Sequence, residues 1–184
     1  ETVCSRTSTP MIIKEVGSGI SIETAKRLVD VGVSAIDVGG KGGTSWGYIE
    51  GLRSSSQESL KTSEVFREWG IPTAYNIATL RKKLPSTPLI ATGGIRDGLT
   101  IAKACALGAT MCGVGLPLLK AALVSDEQVY INLKRYYKEL LIAMMATGCK
   151  NIQSLSKKIC YGRPYEDKFQ EYFDHPQKRE HPYL

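Results

Sequence analysis

The sequence predicts an α/β fold, a parallel sheet with covering helices, and three observations carry that expectation. Short apolar runs of strand type alternate with amphipathic helical segments in the order βαβα(α)βαβα, the pattern of parallel strands joined by helical crossovers. The apolar runs end in glycine, at Gly17 and Gly19, at Gly39 and Gly40, at Gly93 and Gly94, and at Gly115. Residues 87–119 then perform strand, glycine turn and helix twice in succession.

Taken in order, residues 1–9 read as the end of a helix or a loop. Residues 11–16 form the first strand, with Ile12, Lys14 and Val16 on one face and Ile13 and Glu15 on the other. Ser21 caps a helix over 22–31 whose apolar stripe is Ala25, Leu28 and Val29, and Gly32 stops it. Residues 35–38 are the second strand. Four glycines within residues 39–43 are too many for a packing turn, so this backbone is shaped to approach something closely. Residues 51–62 are polar and expected in solvent, 64–69 form a short helix, and the next helix contains residues 76–83.

The third strand, 89–92, runs into Gly93-Gly94 and a helix whose small apolar residues Ile101, Ala102, Cys105 and Ala106 keep helical spacing until Gly108. The fourth strand, 111–114, ends at Gly115-Leu116-Pro117 and leads to a helix reaching about residue 124. Ser125 with Gln128 has the capping-box spacing and starts a long helix to about 147. Its Leu133, Tyr137, Leu140, Leu141, Met144 and Met145 keep helical spacing and read as core contacts, the methionines as gap filler. A short helix covers 151–158. Residues 160–184 mix charge, aromatics and proline without period, so the chain divides into a unit over 1–159 and a tail that is disordered or an interaction arm.

Composition narrows the class. With 184 residues, 42% hydrophobic and 23% charged, the chain can bury a sizeable core. A complete eight-stranded barrel needs about 250 residues. The four strands therefore make either a small open α/β sheet or half of such a barrel. No apolar run is long enough to cross a membrane, and residues 1–10 have no signal-peptide core. Five cysteines without a C-x-x-C pair fit free thiols in a reducing cytoplasm. The net charge of +6 is dispersed and lacks the aromatic-basic motifs of nucleic-acid modules, so a small anionic ligand is expected instead.

That ligand is expected at residues 87–119. Glycine lets a phosphate approach backbone amides, and the following helix start presents further unpaired N–H groups. Two such turns after adjacent parallel strands grip one phosphate from two sides. In barrels, phosphate sites lie after strands seven and eight.

The motifs I-I-K-E-V-G at 12–17, G-G-K-G-G-T-S-W at 39–46, T-G-G-I-R-D-G at 92–98 and A-L-G-A-T-M-C-G-V-G-L-P-L-L at 106–119, with A-M-M-A-T-G-C at 143–149, resemble type 2 isopentenyl diphosphate isomerase. The G-G-I-R turn alone is shared with many FMN barrels, including α-hydroxy acid oxidases; K-E-V-G followed by G-G-T-S-W is more specific. The resemblance covers about residues 8–158. It implies a (β/α)8 TIM barrel of which this chain supplies strands 5–8 and the C-terminal helices, with the N-terminal half, its proton-transfer Gln and its Mg²⁺-binding Glu not included. Catalytic residues are accordingly expected in that other half, and no metal ligand is assigned here.

The resemblance also assigns roles. Lys14 would lie against the flavin N1/O2 side, where a cation stabilises charge on the reduced ring. Thr44 would offer its hydroxyl to the flavin, or serve as a helix N-cap. Gly93, Gly94, Ile95 and Arg96 would bind the FMN phosphate, with Gly115 and Leu116 closing the other side. Trp46 would stand at the mouth near a prenyl diphosphate substrate, or pack as an ordinary aromatic. Asp97 reads as a helix cap, and Asp37 and Glu15 as salt-bridge partners. The implied reaction interconverts isopentenyl and dimethylallyl diphosphate by a 1,3-proton shift, with FMN, Mg²⁺ and the reductant NADPH as cofactors. An FMN oxidoreductase and a non-catalytic phosphate-binding or assembly module are the alternatives. Unpaired strand edges in half a barrel predict a homo-oligomer or pairing with the other half.

Overall fold

Among the described residues, four parallel strands lie in sequence order, β1-β2-β3-β4, as β1 (Ile12–Lys14), β2 (Ala35–Asp37), β3 (Leu89–Ala91) and β4 (Met111–Cys112). This computed structural model describes residues 2–158. The tail at 160–184 lies outside them, and the division at 159 and 160 rests on the sequence alone. All four strands are shorter than the apolar runs suggested. Pairing nonetheless continues past β1, where the Glu15 amide donates to the Asp37 carbonyl at 3.1 Å.

The crossovers are helices: α1 (Thr2–Arg6), α2 (Ile22–Asp30), α3 (Trp46–Arg53), α4 (Gln57–Val65), α5 (Thr73–Lys83), α6 (Gly98–Ala106), α7 (Leu116–Ala122) and α8 (Asp126–Ala146), followed by a 3-10 turn over Ile152–Lys158. Three caps appear where Ser and Asp stand before a helical period. Ser21 accepts from the Thr24 amide, Asp97 from that of Thr100, and Ser125 from that of Gln128.

The register Lys14–Asp37–Ile90–Met111 lines one face of the sheet. The opposite face packs under helices. There Ile36, Val38, Leu89 and Ala91 meet Ile77 and Leu80 of α5, all fully buried. Each of the large side chains contributes roughly 2 kcal/mol of apolar burial. A smaller cluster joins Ala102 and Cys105 of α6 to Cys149 and Leu155.

Several expectations change. Residues 51–62 are largely exposed, as expected, but they are helical: α3 and α4 pack there as a hairpin, and α4 replaces the short helix placed at 64–69. Helix propensity and the Ser56 cap, which accepts from the Ser59 amide, outweigh the polar composition. In α8 the buried residue is Tyr136, with Leu140 and Met144 half-buried, whereas Leu133, Tyr137, Leu141 and Met145 are exposed. The reason is a close approach of α8 to the start of α6. A Cβ on Gly98 would stand 2.2 Å from the Tyr136 carbonyl, so the contact face is centred on Tyr136, Glu139 and Leu140. Met145 is therefore not core filler.

Glu15 and Asp37 form no salt bridge among the described residues. The Glu15 carboxylate accepts the amides of Gly17, Ser18 and Gly19 at 2.7, 2.6 and 3.0 Å, closing the turn after β1. Asp37 is buried and accepts the Gly39 amide and the Thr92 hydroxyl. Local backbone donors lie nearer to both carboxylates than any cation does.

Candidate cofactor-binding cleft

A cleft of about 1100 Å³ opens at the carboxyl ends of the four strands. Every residue singled out for ligand binding lines it. Lys14 stands at the end of β1, and Thr44 and Trp46 come from the glycine loop after β2. Gly93, Gly94, Ile95 and Arg96 follow β3, and Gly115 and Leu116 follow β4. In parallel α/β folds this is the edge where loops build ligand sites.

The glycines serve two physical purposes. Gly93 and Gly94 have φ of +100° and +82°, and a Cβ on either would meet the carbonyl of Gly40 at 1.9 Å or of Gly42 at 2.5 Å. The crowded glycine loop was shaped to approach another backbone, and that backbone is this turn. Gly115 differs. A Cβ there would have nothing within 4 Å and φ is −101°, so it borders open space.

Among the described residues, the amides of Gly94, Ile95, Arg96, Gly115 and Leu116 donate to no protein acceptor. Ile95 has its side chain in the core and offers only its backbone. The start of α6 is already occupied: Glu139 accepts the Gly98 amide at 2.7 Å and Asp97 that of Thr100 at 2.6 Å. The bonds from Thr100 hold the Asp97 carboxyl below its ordinary value. An anion in the cleft therefore meets the amides of the turns rather than the first turn of α6.

Charge points the same way. Among the described residues, Lys14, Arg96 and Lys120 line the cleft and no carboxylate does. The Lys14 ammonium donates to the Glu15 carbonyl at 2.7 Å, and the Arg96 guanidinium reaches the Gly42 carbonyl at 3.4 Å. Both are bonds to neutral carbonyls, which leave the positive charges uncompensated. Open amides plus three cations without an ion-pair partner among the described residues suit a phosphate ester, and the apolar wall of Val16, Trp46, Ile49 and Val114 suits a flat ring system beside it. The cleft thus fits FMN in size, charge and amide supply.

Trp46 is 56% exposed, so it is not a packing aromatic. Thr44 is not the helix cap: the cap position of α3 belongs to Ser45, whose side chain makes no capping bond. Sequence reasoning missed Lys120, whose spacing of four from Leu116 on α7 was the available signal. It also missed Thr73, Asn76 and Thr92. The Thr73 hydroxyl lies 2.8 Å from the Gly93 carbonyl and 3.3 Å from that of Lys41, bracing the two glycine segments. Asn76 exchanges bonds with both backbone groups of Ile20, tying α5 to the loop before α2. Nothing local in the sequence marks such long-range polar contacts. A groove of about 820 Å³ between α3 and α4 contains none of the expected site residues.

Comparison with known proteins agrees with this geometry. The pattern of the FMN-dependent dehydrogenases matches residues 1–161. An isopentenyl-diphosphate delta-isomerase of Stutzerimonas stutzeri is 45% identical over 155 residues, covering 84% of this chain and 45% of that protein. Its namesake from Methanococcus maripaludis is 49% identical over 146 residues, covering 79% and 41%. The chain thus spans less than half the length of these curated relatives. Among solved structures, mandelate oxidase with (S)-4-hydroxymandelic acid superposes with a TM-score of 0.62 at 23% identity, over 84% of this chain and 37% of that one. These matches place the fold among the α/β barrels of the FMN enzymes.

Proposed function

Because this chain belongs to the FMN-dependent dehydrogenase family, we propose that it supplies strands 5–8 of a (β/α)8 barrel, the half that binds FMN phosphate, in an isopentenyl-diphosphate delta-isomerase. The observation that carries this reading is the cleft itself, which among the described residues combines open turn amides and three cations with no carboxylate. The amides of Gly94, Ile95, Arg96, Gly115 and Leu116 bind the phosphate, assisted by the Arg96 guanidinium. Lys14 sets its ammonium beside the ring and favours an electron-rich flavin, while Thr44 orients the cofactor by a hydroxyl bond. FMN held by these residues would, in its reduced form, supply proton-transfer chemistry for the isomerisation. Trp46, exposed at the mouth, offers an apolar surface to a prenyl diphosphate and shields the site from water.

Groups that handle the substrate diphosphate and Mg²⁺ belong, in this reading, to the other half of the barrel, and NADPH is the reductant. The cytoplasm is the expected compartment, and a homo-oligomer the expected assembly. Identities of 45–49% to the isomerases favour this activity over the oxidase chemistry of the structural neighbours, which stand at 22–25%.

The test is a titration of the chain with FMN, followed by flavin fluorescence and the visible spectrum. Quenching that saturates, with affinity weakened about tenfold, or ~1.4 kcal/mol, by Lys14→Ala and by Gly115→Glu, supports the site. Gly115→Glu is the informative variant. Its side chain enters open space, so the fold survives while a carboxylate takes the phosphate position. Unchanged affinity in both variants would sink the assignment. Bleaching of bound flavin by a 2-hydroxy acid would favour the oxidoreductase instead.

A further inference from the structure

Residues 93–98 carry the chain from β3 into α6, and the amides open to an anion there belong to Gly94, Ile95 and Arg96. Side chains from elsewhere in the sequence hold both ends of that turn. At the first end the Thr73 hydroxyl donates to the Gly93 carbonyl at 2.8 Å. At the second, Glu139 of α8 accepts the Gly98 amide through Oε2 at 2.7 Å, across 41 positions of sequence. The approach needs glycine, because a Cβ on residue 98 would overlap the Tyr136 carbonyl and the Glu139 Cβ. The second Glu139 oxygen is occupied as well. Arg135, one helical turn earlier, donates to Oε1 at 2.8 Å, and its guanidinium lies 4.8 Å from the centre of the buried Tyr136 ring. Both oxygens of the carboxylate are therefore fixed, and the helix that carries it is anchored beside it.

We propose that Glu139, on the phosphate placement proposed above, is a positioning residue for the cofactor phosphate. Its bond to the Gly98 amide fixes the end of the turn whose open amides meet the anion. A loose turn must be ordered when its ligand binds, whereas a turn held at both ends is ordered already by folding. A carboxylate makes a stronger bond to an amide than a neutral acceptor does, which gives a charged residue its use here. The same charge is unfavourable near a phosphate, and Arg135 offsets it. Neither Glu139 nor Arg135 lines the cleft, so both act through the turn and not by touching the ligand. The clamp governs the phosphate end alone. It therefore raises affinity for a phosphorylated flavin over riboflavin, which has the same ring and ribityl chain without the phosphate.

The test titrates the folded 184-residue chain with FMN and, separately, with riboflavin, each followed by flavin fluorescence. Wild type is expected to favour FMN by at least about a hundredfold. Glu139→Ala should lower that preference about tenfold while riboflavin affinity stays within about twofold of wild type. Glu139→Gln keeps an oxygen acceptor for the Gly98 amide and should restore the preference to within about threefold, separating the bond from the charge. A urea melt of each variant distinguishes loss of fold from loss of preference. Where Glu139→Ala does not fold, Glu139→Asp serves in its place, since it keeps the charge but withdraws the acceptor by one methylene, and it should lower the preference too. An unchanged preference in the folded Ala or Asp variant would overturn the proposal and leave the phosphate placement standing. So would equal losses of FMN and riboflavin affinity, the mark of general loosening. Absence of any FMN preference in wild type would overturn the phosphate placement and this role with it.

Discussion

The two glycine turns of the cleft look alike in sequence and differ in what their glycines are for. After β3, Gly93 and Gly94 adopt positive φ and press against the Gly40 and Gly42 carbonyls, where any Cβ would overlap backbone. After β4, Gly115 adopts negative φ and faces space. The first turn is a packing device that also leaves amides open, and the second is mainly a boundary of the cleft. A glycine in a binding motif is therefore not always kept for the ligand, because backbone crowding alone can require it.

This contrast is open to attack at several points. The largest expected effect is Gly93→Ala, which forces a Cβ to within 1.9 Å of the Gly40 carbonyl at φ +100°. Relief requires separating the two glycine segments, so a loss of at least ~3 kcal/mol in a urea melt is expected, approaching failure to fold. A change below about 1 kcal/mol would show that the turn relaxes freely. Next is Thr73→Val, which keeps the volume but removes the hydroxyl bracing Gly93 to Lys41. Leaving the half-buried Gly93 carbonyl without its donor costs about 1–2 kcal/mol, and FMN affinity should fall with it if the first turn carries the phosphate.

Asp97→Ala removes the cap of α6 at about 1 kcal/mol near neutral pH. The folded carboxyl titrates below its ordinary 3.8, so its contribution is complete above that value. It disappears as pH falls through the lowered folded value. Wild type and Asp97→Ala should therefore converge in stability toward strong acid, and a constant gap at all pH would count against the cap. The smallest effect is Gly115→Ala, expected within about 0.5 kcal/mol of wild type in stability because the added methyl touches nothing. Together, Gly93→Ala and Gly115→Ala separate the glycine that holds the fold from the one that edges the site.

Much of this protein was legible before any coordinates. Period-2 and period-3.6 apolar patterns are local consequences of burial, so the order of strands and helices, and caps such as Ser21, Asp97 and Ser125, followed from residues a few positions apart. The glycine turns that line the cleft were legible too, because they carry their chemistry in short motifs, whereas Lys14 was singled out through the family resemblance. Tertiary structure alone decided the rest. Which side of α8 is buried depended on Gly98 admitting the Tyr136 carbonyl, and the Glu15 and Asp37 carboxylates found amides and a hydroxyl instead of cations. Thr73 and Asn76 bond to groups 20 and 56 positions away, and the Cys112 thiol finds the Ile101 carbonyl across a helix–strand contact. Such pairings are set by the close packing of separate elements, where a shift of an ångström changes the partner, and local sequence has no access to that distance.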